Sequence, residues 1–136
     1  IIDMCIKIHQ YSIVAPATPV QRAAIVAIRD CDDSINAMRE EYHGRRDLIV
    51  TGLQEMGFTV AVPQGAFYVY PDISSTGLSD EEFAIQLLQS KKVAVVPGSA
   101  FGDCVKNKIR ISYASSRETI QTALRLMKEF VEELKN

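Results

Sequence analysis

Arg110 is the residue of this sequence best suited to recognising a ligand. It stands between Ile109 and Ile111 in the segment "KNKIRISYASS", where apolar and polar residues alternate. In a β-strand, this alternation places the isoleucines on one face and Arg110 on the other. A planar guanidinium can hold a carboxylate through two parallel N–H bonds, which lysine cannot do. The strand alone leaves three interpretations open: a carboxylate-binding arginine, a solvated charge on a sheet face, and a structural arginine paired with an acidic side chain.

Two further segments could border a ligand site. In "VVPGSAFGDC", Gly98 and Gly102 flank small residues and permit tight turns and close approach of the backbone to a ligand. In "PQGAFYVYPD", Gly65 comes two residues before Phe67. Taken alone, both segments are more typical of ordinary turns and packed sheets than of a ligand site. Neither contains a nucleotide-binding glycine motif, so a phosphate site is not indicated.

Other reactive side chains lack the partners that catalysis would need. His9 and His43 fall on predicted helices without a matched acid or thiol. Lys91 and Lys92 close a predicted helix, where cations suit the helix dipole. No Ser, His and Asp constellation can be assembled from the spacing. These residues therefore are not candidates for a nucleophile or a general base.

Composition limits the classes of protein and partner. The chain has 136 residues, with 47% hydrophobic and 24% charged residues, which suits one globular domain or one domain and a piece of another. A net charge of -2 gives no reason to expect nucleic acid or an anionic membrane as partner. Three cysteines without a C-x-x-C pair disfavour a disulfide framework or a metal site and predict a cytoplasmic location. No apolar run approaches the roughly 18 residues of a membrane span.

Residues 1–32 are predicted to be helical and to lie outside the domain formed by the rest of the chain. Met4, Ile8 and Tyr11 recur at helical spacing, which predicts an amphipathic helix whose start is missing, so we expect the chain to be a fragment. Thr18 followed by Pro19 predicts the cap and first residue of a second helix.

From residue 33 the pattern predicts an α+β fold, a small and mainly antiparallel sheet packed with helices. Ser79 with Glu82 forms a capping box before one of these helices. The expected elements, in chain order, are a helix over Asp33–Met56, a hairpin pairing Phe58–Val62 with Ala66–Tyr70, a helix after Ser79, the strands "VAVV" and "KIRISYA", and a last helix capped by Ser115 with Glu118.

The order of these segments resembles one known family. "PQGAFYVYPDI", then "VAVVPGSAFG", then "IRISYASS" and a closing amphipathic helix resemble the C-terminal part of a fold-type I, pyridoxal-phosphate-dependent aminotransferase of class I and II, in the aspartate and aromatic branch. "KIHQYSIVAPATPVQRAA" resembles the segment between the cofactor lysine and the helix joining the two domains. The resemblance implies that residues 1–32 are a remnant of the large cofactor-binding domain with the start of the linker helix. Residues 33–136 would be the small C-terminal domain.

The resemblance also implies roles and partners. Arg110, in "RISY", would bind the α-carboxylate of an amino acid, and Phe67 would lie near the substrate entrance. The full-length parent would be a cytoplasmic homodimer that uses pyridoxal phosphate to move an amino group from an amino acid to a 2-oxo acid. Because the cofactor lysine and its companions lie upstream in the family, the fragment alone is expected to be inactive and not to hold the cofactor. The alternative is a stand-alone α+β module that binds carboxylates or a partner without catalysis.

Overall fold

The computed structural model describes residues 1–135, apart from the side chain of Ile13. The chain divides into two compact units, an N-terminal unit over Ile1–Arg39 and a C-terminal unit that begins at Glu40. The division falls within one long helix, seven residues after the boundary expected from the sequence. Which part of a larger protein each unit represents stays a prediction.

The N-terminal unit consists of helices joined by short connections, and its described side chains form no core. It contains α1 (Ile2–Ile13), α2 (Thr18–Asp30) and the beginning of α3 (Asp32–Glu55). Every described side chain in residues 1–30 is exposed. The apolar faces of these helices are therefore not covered within the unit.

The cap expected at Thr18 was wrong by one residue. Ala17 is the N-cap of α2 and makes no side-chain cap, while Thr18 is already helical. Since the first four N–H groups of a helix have no intrahelical partner, Pro19 fits the second helical position as well as the first. The local signal could not choose between these two registers. Gln21 instead reaches back, its Nε2 donating to the carbonyl of Pro16 at 2.7 Å.

The C-terminal unit contains most of α3, then α4 (Asp80–Lys91) and α5 (Arg117–Glu133). The capping box of α4 is confirmed: the Ser79 Oγ accepts from the Glu82 N–H at 3.2 Å, and Glu82 Oε2 accepts from the Ser79 N–H at 3.0 Å.

The cap expected at Ser115 was wrong, because α5 begins one residue later. Ser116 is the N-cap, and its Oγ accepts from the Thr119 N–H at 3.1 Å. Two adjacent serines precede the helix, and the spacing of Ser115 to Glu118 fits a capping box. The backbone N–H of Thr119 donates to Ser116, which makes Ser116 the N-cap.

The sheet is small and antiparallel. Its strands are β1 (Tyr68–Val69), β2 (Val96–Pro97) and β3 (Ile109–Ser112), in the order β1-β3-β2. Tyr68 pairs with Ser112, and Val96 pairs with Arg110. The α+β fold with a small antiparallel sheet is therefore confirmed. Its strands are shorter than the alternating patterns suggested.

The expected hairpin between Phe58–Val62 and Ala66–Tyr70 was wrong. Thr59 forms only an isolated bridge with Asp72, and Tyr68 and Val69 pair with β3 instead. Ala66 adopts a φ of 59°, a left-handed conformation that turns the chain before β1 begins. The partner of β1 is thus a strand some forty residues later, which no local pattern encodes.

The core of the C-terminal unit lies between its helices and the sheet. The Phe83 ring meets the Phe58 and Phe130 rings edge-on, at centroid distances of 6.2 and 5.3 Å. Side chains exposed by 4% or less include Ile49, Leu53, Phe58, Val69, Ile73, Phe83, Leu87, Ile109, Met127, Phe130 and Val131. Across the part of the chain that the structure describes, no helix combines the length and apolar character needed to cross a membrane.

Candidate carboxylate-binding site around Arg110

Arg110 lies on the central strand of the sheet and is half-buried. Its neighbours Ile109 and Tyr113 are 0% and 2% exposed, and both belong to the core. Since side chains alternate along a strand, these residues fix the strand from one side while Arg110 projects from the other.

The Arg110 guanidinium lies over two aromatic rings. Its Cζ lies 4.6 Å from the centroid of the Tyr68 ring and 4.3 Å from that of Phe101. Tyr68 is on β1 opposite Ser112, so it is the diagonal neighbour of Arg110 on the same face of the sheet. Phe101 ends the short 3-10 helix Gly98–Phe101, which follows β2. The two rings thus come from different elements.

Arg110 has no carboxylate within ion-pair distance among residues 1–135. Arg45 and Arg117 differ, because their guanidinium groups donate to the same carboxylate, that of Glu41. A structural arginine would be expected to have an acidic partner, as Arg45 and Arg117 do. Because Arg110 has no acidic partner among the described residues, its N–H donors are available to a ligand carboxylate.

The loop that carries Phe101 is fixed by hydrogen bonds from two of its backbone N–H groups. Buried Asp80 accepts from the Ser99 N–H at 2.6 Å, and the Gly98 N–H donates to the Lys108 carbonyl at 2.8 Å. A Cβ on Gly98 would overlap the carbonyl oxygen of Val105, so only glycine fits there without a shift of the backbone. Burial by itself would raise the pKa of Asp80. Hydrogen bonding, first of all from the backbone N–H of Ser99, outweighs this and lowers the pKa.

Phe67 is 40% exposed and joins the same aromatic surface. Its ring centroid lies 4.5 Å from that of Tyr68 and 6.3 Å from that of Tyr42. Buried Tyr113 holds this segment, its backbone N–H donating to Phe67 O at 2.9 Å and its hydroxyl to Ala66 O at 3.0 Å. Burial raises the pKa of Tyr113, which keeps the hydroxyl protonated as a donor. Phe67 reaches Arg110 through Tyr68 and does not stack on it.

Sequence reasoning missed Tyr68, Phe101 and Asp80. The placement of Tyr68 beside Arg110 could have been predicted only if the register of β1 against β3 had been known. Phe101 is nine residues before Arg110, in a loop interpreted from its glycines, and nothing local links the two. Asp80 reads simply as an acid in the first turn of a helix.

The lining of a cavity of about 570 Å³ in the C-terminal unit does not include Arg110, Tyr68 or Phe101. This cavity is lined mainly by α5, with Ile49, Val93 and Ile111, and its lining contains no arginine. We therefore place the candidate site at Arg110, where the charge and the aromatic rings are.

Comparison with known proteins agrees with this fold. Residues 1–126 match the model of the family described as aminotransferase class I and II. A putative aminotransferase of Bacillus subtilis is 43% identical over 95% of this chain and 33% of its own length. An aspartate aminotransferase of Pyrococcus abyssi is 42% identical over 99% of this chain and 35% of its own.

Solved structures give the same result. The aromatic aminotransferase of Pyrococcus horikoshii superposes with a TM-score of 0.90 at 40% identity, over 95% of this chain and 35% of that one. The aspartate aminotransferase of Thermus thermophilus with maleate gives 0.81 at 33% identity, over 90% and 32%. The chain belongs to the class I and II aminotransferase family. It spans about a third of the length of the relatives that it matches.

The described residues do not form a complete site for pyridoxal phosphate, the cofactor that the family implies. A Schiff-base lysine needs an amine desolvated within a site, whereas every described lysine is exposed or half-buried. Lys91 pairs with Glu133 at 2.5 Å, Lys106 pairs with Asp103 at 2.9 Å, and the Lys92 Nζ donates to the Gln89 carbonyl at 3.0 Å.

Proposed function

We propose that this chain is the substrate-carboxylate-binding part of an aminotransferase that moves an amino group from an amino acid to a 2-oxo acid. One observation carries the proposal: the Arg110 guanidinium lies over two aromatic rings and has no carboxylate partner among the described residues. Family membership supports it, since aspartate and aromatic aminotransferases are among the relatives. Aspartate and aromatic amino acids share the α-carboxylate, the group that a single arginine can recognise in both.

The contribution of Arg110 to the reaction is orientation. Two parallel N–H bonds to the α-carboxylate fix the plane and direction of the substrate, and each charged hydrogen bond contributes about 1.5–3 kcal/mol. A substrate held in a reactive geometry reacts faster because its orientational freedom is lost on binding, before the barrier is crossed. Exposed Phe67, beside Tyr68, would border the entrance through which the substrate arrives.

The remaining parts of the proposal concern a longer protein. Residues 1–32 would belong to the large cofactor-binding domain and residues 33–136 to the small domain of a cytoplasmic homodimer. Pyridoxal phosphate would be held by residues outside this chain. The chain alone would not transaminate, and borohydride reduction with pyridoxal phosphate would trap no single stoichiometric lysine adduct. Such an adduct would overturn this part.

The test of Arg110 uses a chimera in which this chain replaces the corresponding third of the Pyrococcus horikoshii aromatic aminotransferase, to which it is 40% identical. Arg110→Lys keeps the charge and removes the planar fork. We expect the KM for the amino acid to rise tenfold or more, a loss of about 1.4 kcal/mol or greater. The melting temperature should stay within about 2 °C of the parent chimera, since a half-exposed arginine without an ion pair contributes little to stability.

Arg125→Lys is the matched control, because Arg125 is exposed and pairs with Glu129 on the same helix at 2.6 Å. It should change neither the KM nor the melting temperature. If Arg110→Lys lowers the melting temperature and leaves the KM unchanged, Arg110 is structural and the proposal fails. An inactive chimera whose chain still binds carboxylates would favour the stand-alone binding module.

A further inference from the structure

We propose that Tyr68 and Phe101 are positioning residues that clamp the Arg110 guanidinium by its two faces, so that a carboxylate can reach it only along its N–H edge. The inference rests on the proposed role of Arg110 and names the residues through which that role is achieved. It starts from the distances between the Arg110 Cζ and the two ring centroids, 4.6 Å for Tyr68 and 4.3 Å for Phe101.

A guanidinium is suited to such a clamp. Its faces are weakly hydrated and stack well on aromatic rings, while its hydrogen-bond donors all lie in the plane. Covering the faces leaves the donors free and limits rotation of the side chain. The arginine side chain then loses its conformational entropy on folding and not on ligand binding, which makes the binding of a carboxylate more favourable.

The exposure of Phe101 supports this role. It is 44% exposed at the end of the 3-10 helix Gly98–Phe101, where a phenyl ring gains little by burial alone. Its ring meets the edge of the Tyr70 ring at a centroid distance of 6.2 Å and an interplanar angle of 82°. The ring is thus held from one side by Tyr70 while it covers the guanidinium.

The loop has its own supports. Asp80 accepts from the Ser99 N–H, and the Gly98 N–H donates to Lys108 O, two residues before Arg110. Phe101 is therefore tied both to the start of α4 and to the strand that carries the arginine. Tyr68, the other half of the clamp, is fixed by the pairing of β1 with β3.

The first test is spectroscopic and uses the 136-residue chain. Protons above a ring face are shifted upfield, so the Arg110 Nε–H should resonate upfield of that of Arg22, an exposed arginine on α2. Phe101→Leu removes a ring and should move the Arg110 signal toward the Arg22 position. Phe101→Tyr keeps a ring and should leave the signal where it is in the unmodified chain. Tyr11→Leu is the control, since Tyr11 is 89% exposed in the N-terminal unit. An unshifted Arg110 signal in the unmodified chain would overturn the clamp.

The second test measures binding in the chimera, with 3-phenylpropionate as a carboxylate probe. Phe101→Leu and Tyr68→Leu should each raise its inhibition constant about two- to fivefold, the factor expected from losing one exposed cation–π contact. Phe101→Tyr and Tyr68→Phe keep a ring face and should match the parent chimera. These conservative variants keep the test valid if a leucine variant folds poorly.

The two proposals fail differently. If Arg110→Lys weakens binding tenfold while both leucine variants match Tyr11→Leu, the clamp is overturned and the carboxylate-binding role stands. If Arg110→Lys leaves binding unchanged, the proposed function fails and the clamp has no ligand to serve.

Discussion

The two units of the chain bury their apolar residues to opposite extents. In the N-terminal unit, Ile1, Met4, Ile8, Val26 and Ile28 are all at least 53% exposed. In the C-terminal unit, side chains from three helices and the sheet form a core in which several are fully buried. Both units are rich in helix, so helix content alone does not distinguish a unit that can be stable by itself.

This contrast indicates where the stability of the chain comes from. Isolated helices of about 12 residues are marginal in water, and most helix stability in proteins comes from burying an apolar face. Helices α1 and α2 have 12 and 13 residues and leave those faces open within their unit. The C-terminal unit should therefore carry the cooperative unfolding transition of the chain.

The strongest loss of stability is expected from removing a core ring. Phe83 is 0% exposed and contacts the rings of Phe58 and Phe130. Phe83→Ala should lower the free energy of unfolding by about 3–5 kcal/mol, since it removes buried apolar surface and leaves a cavity. Urea denaturation followed by circular dichroism measures this loss.

Ile28→Ala is the matched change in the N-terminal unit. Ile28 is 79% exposed, so the same measurement should give a loss within about 0.5 kcal/mol. Equal losses for the two variants would show that the N-terminal unit contributes to the same core, contrary to the contrast between the units.

A smaller effect is expected at the helix caps. Ser79→Ala removes the capping box of α4 and should cost about 1 kcal/mol in the same urea experiment. The N-cap of α2 is already alanine, so Ala17→Ser adds a cap where none exists. It should raise the helical signal slightly without moving the unfolding midpoint. A midpoint shift as large as that of Ser79→Ala would contradict the separation of the units.

The weakest effect is expected in acid. Hydrogen bonds from Arg117 and then Arg45 lower the pKa of Glu41 from 4.5 to about 2. Because the folded value is below the unfolded one, the stabilisation is complete above pH 4.5 and is lost as pH falls toward 2. Glu41→Gln should flatten the pH dependence of the unfolding midpoint between pH 4.5 and 2.

The control for this prediction lies in the other unit. Asp3→Asn changes an exposed acid of α1 and should leave the acid-unfolding curve unchanged. A substitution at Gly44 should also disrupt the ion pair between Glu41 and Arg117, since a Cβ there would overlap the Arg117 guanidinium. Gly44→Ala should therefore flatten the curve as Glu41→Gln does. An unaltered slope in both variants would rule out this ion pair as a source of acid sensitivity.

The helices were predictable because their signals are local. The helix expected over Asp33–Met56 is observed over Asp32–Glu55, and Ser79 with Glu82 marks the start of α4 correctly. The hairpin failed because strand pairing is not local: Phe58–Val62 alternates like a strand, yet β1 takes its partner from β3. Strand-like alternation shows which face is apolar and leaves the partner undetermined.

The candidate site was predictable in its charge and not in its geometry. Arg110 stands out because a permanent charge interrupts an apolar strand, and family resemblance then suggests its ligand. The rings that stack on it come from a neighbouring strand and from a loop, and Phe101 reads in sequence as one apolar residue among glycines. Its placement depends on the Asp80 carboxylate and on close packing at Gly98, both of which appear only in three dimensions.

Carboxylate binding at Arg110 can be tested by an NMR titration of the chain with acetate, and with acetamide as its uncharged counterpart. The Arg110 Nε–H resonance should shift with acetate, saturate, and stay unmoved with acetamide. Arg45 and Arg117, already bound to Glu41, should respond weakly. An Arg110 resonance that does not respond to acetate, or that moves no more than the other arginines, would show that Arg110 is not a carboxylate-binding residue.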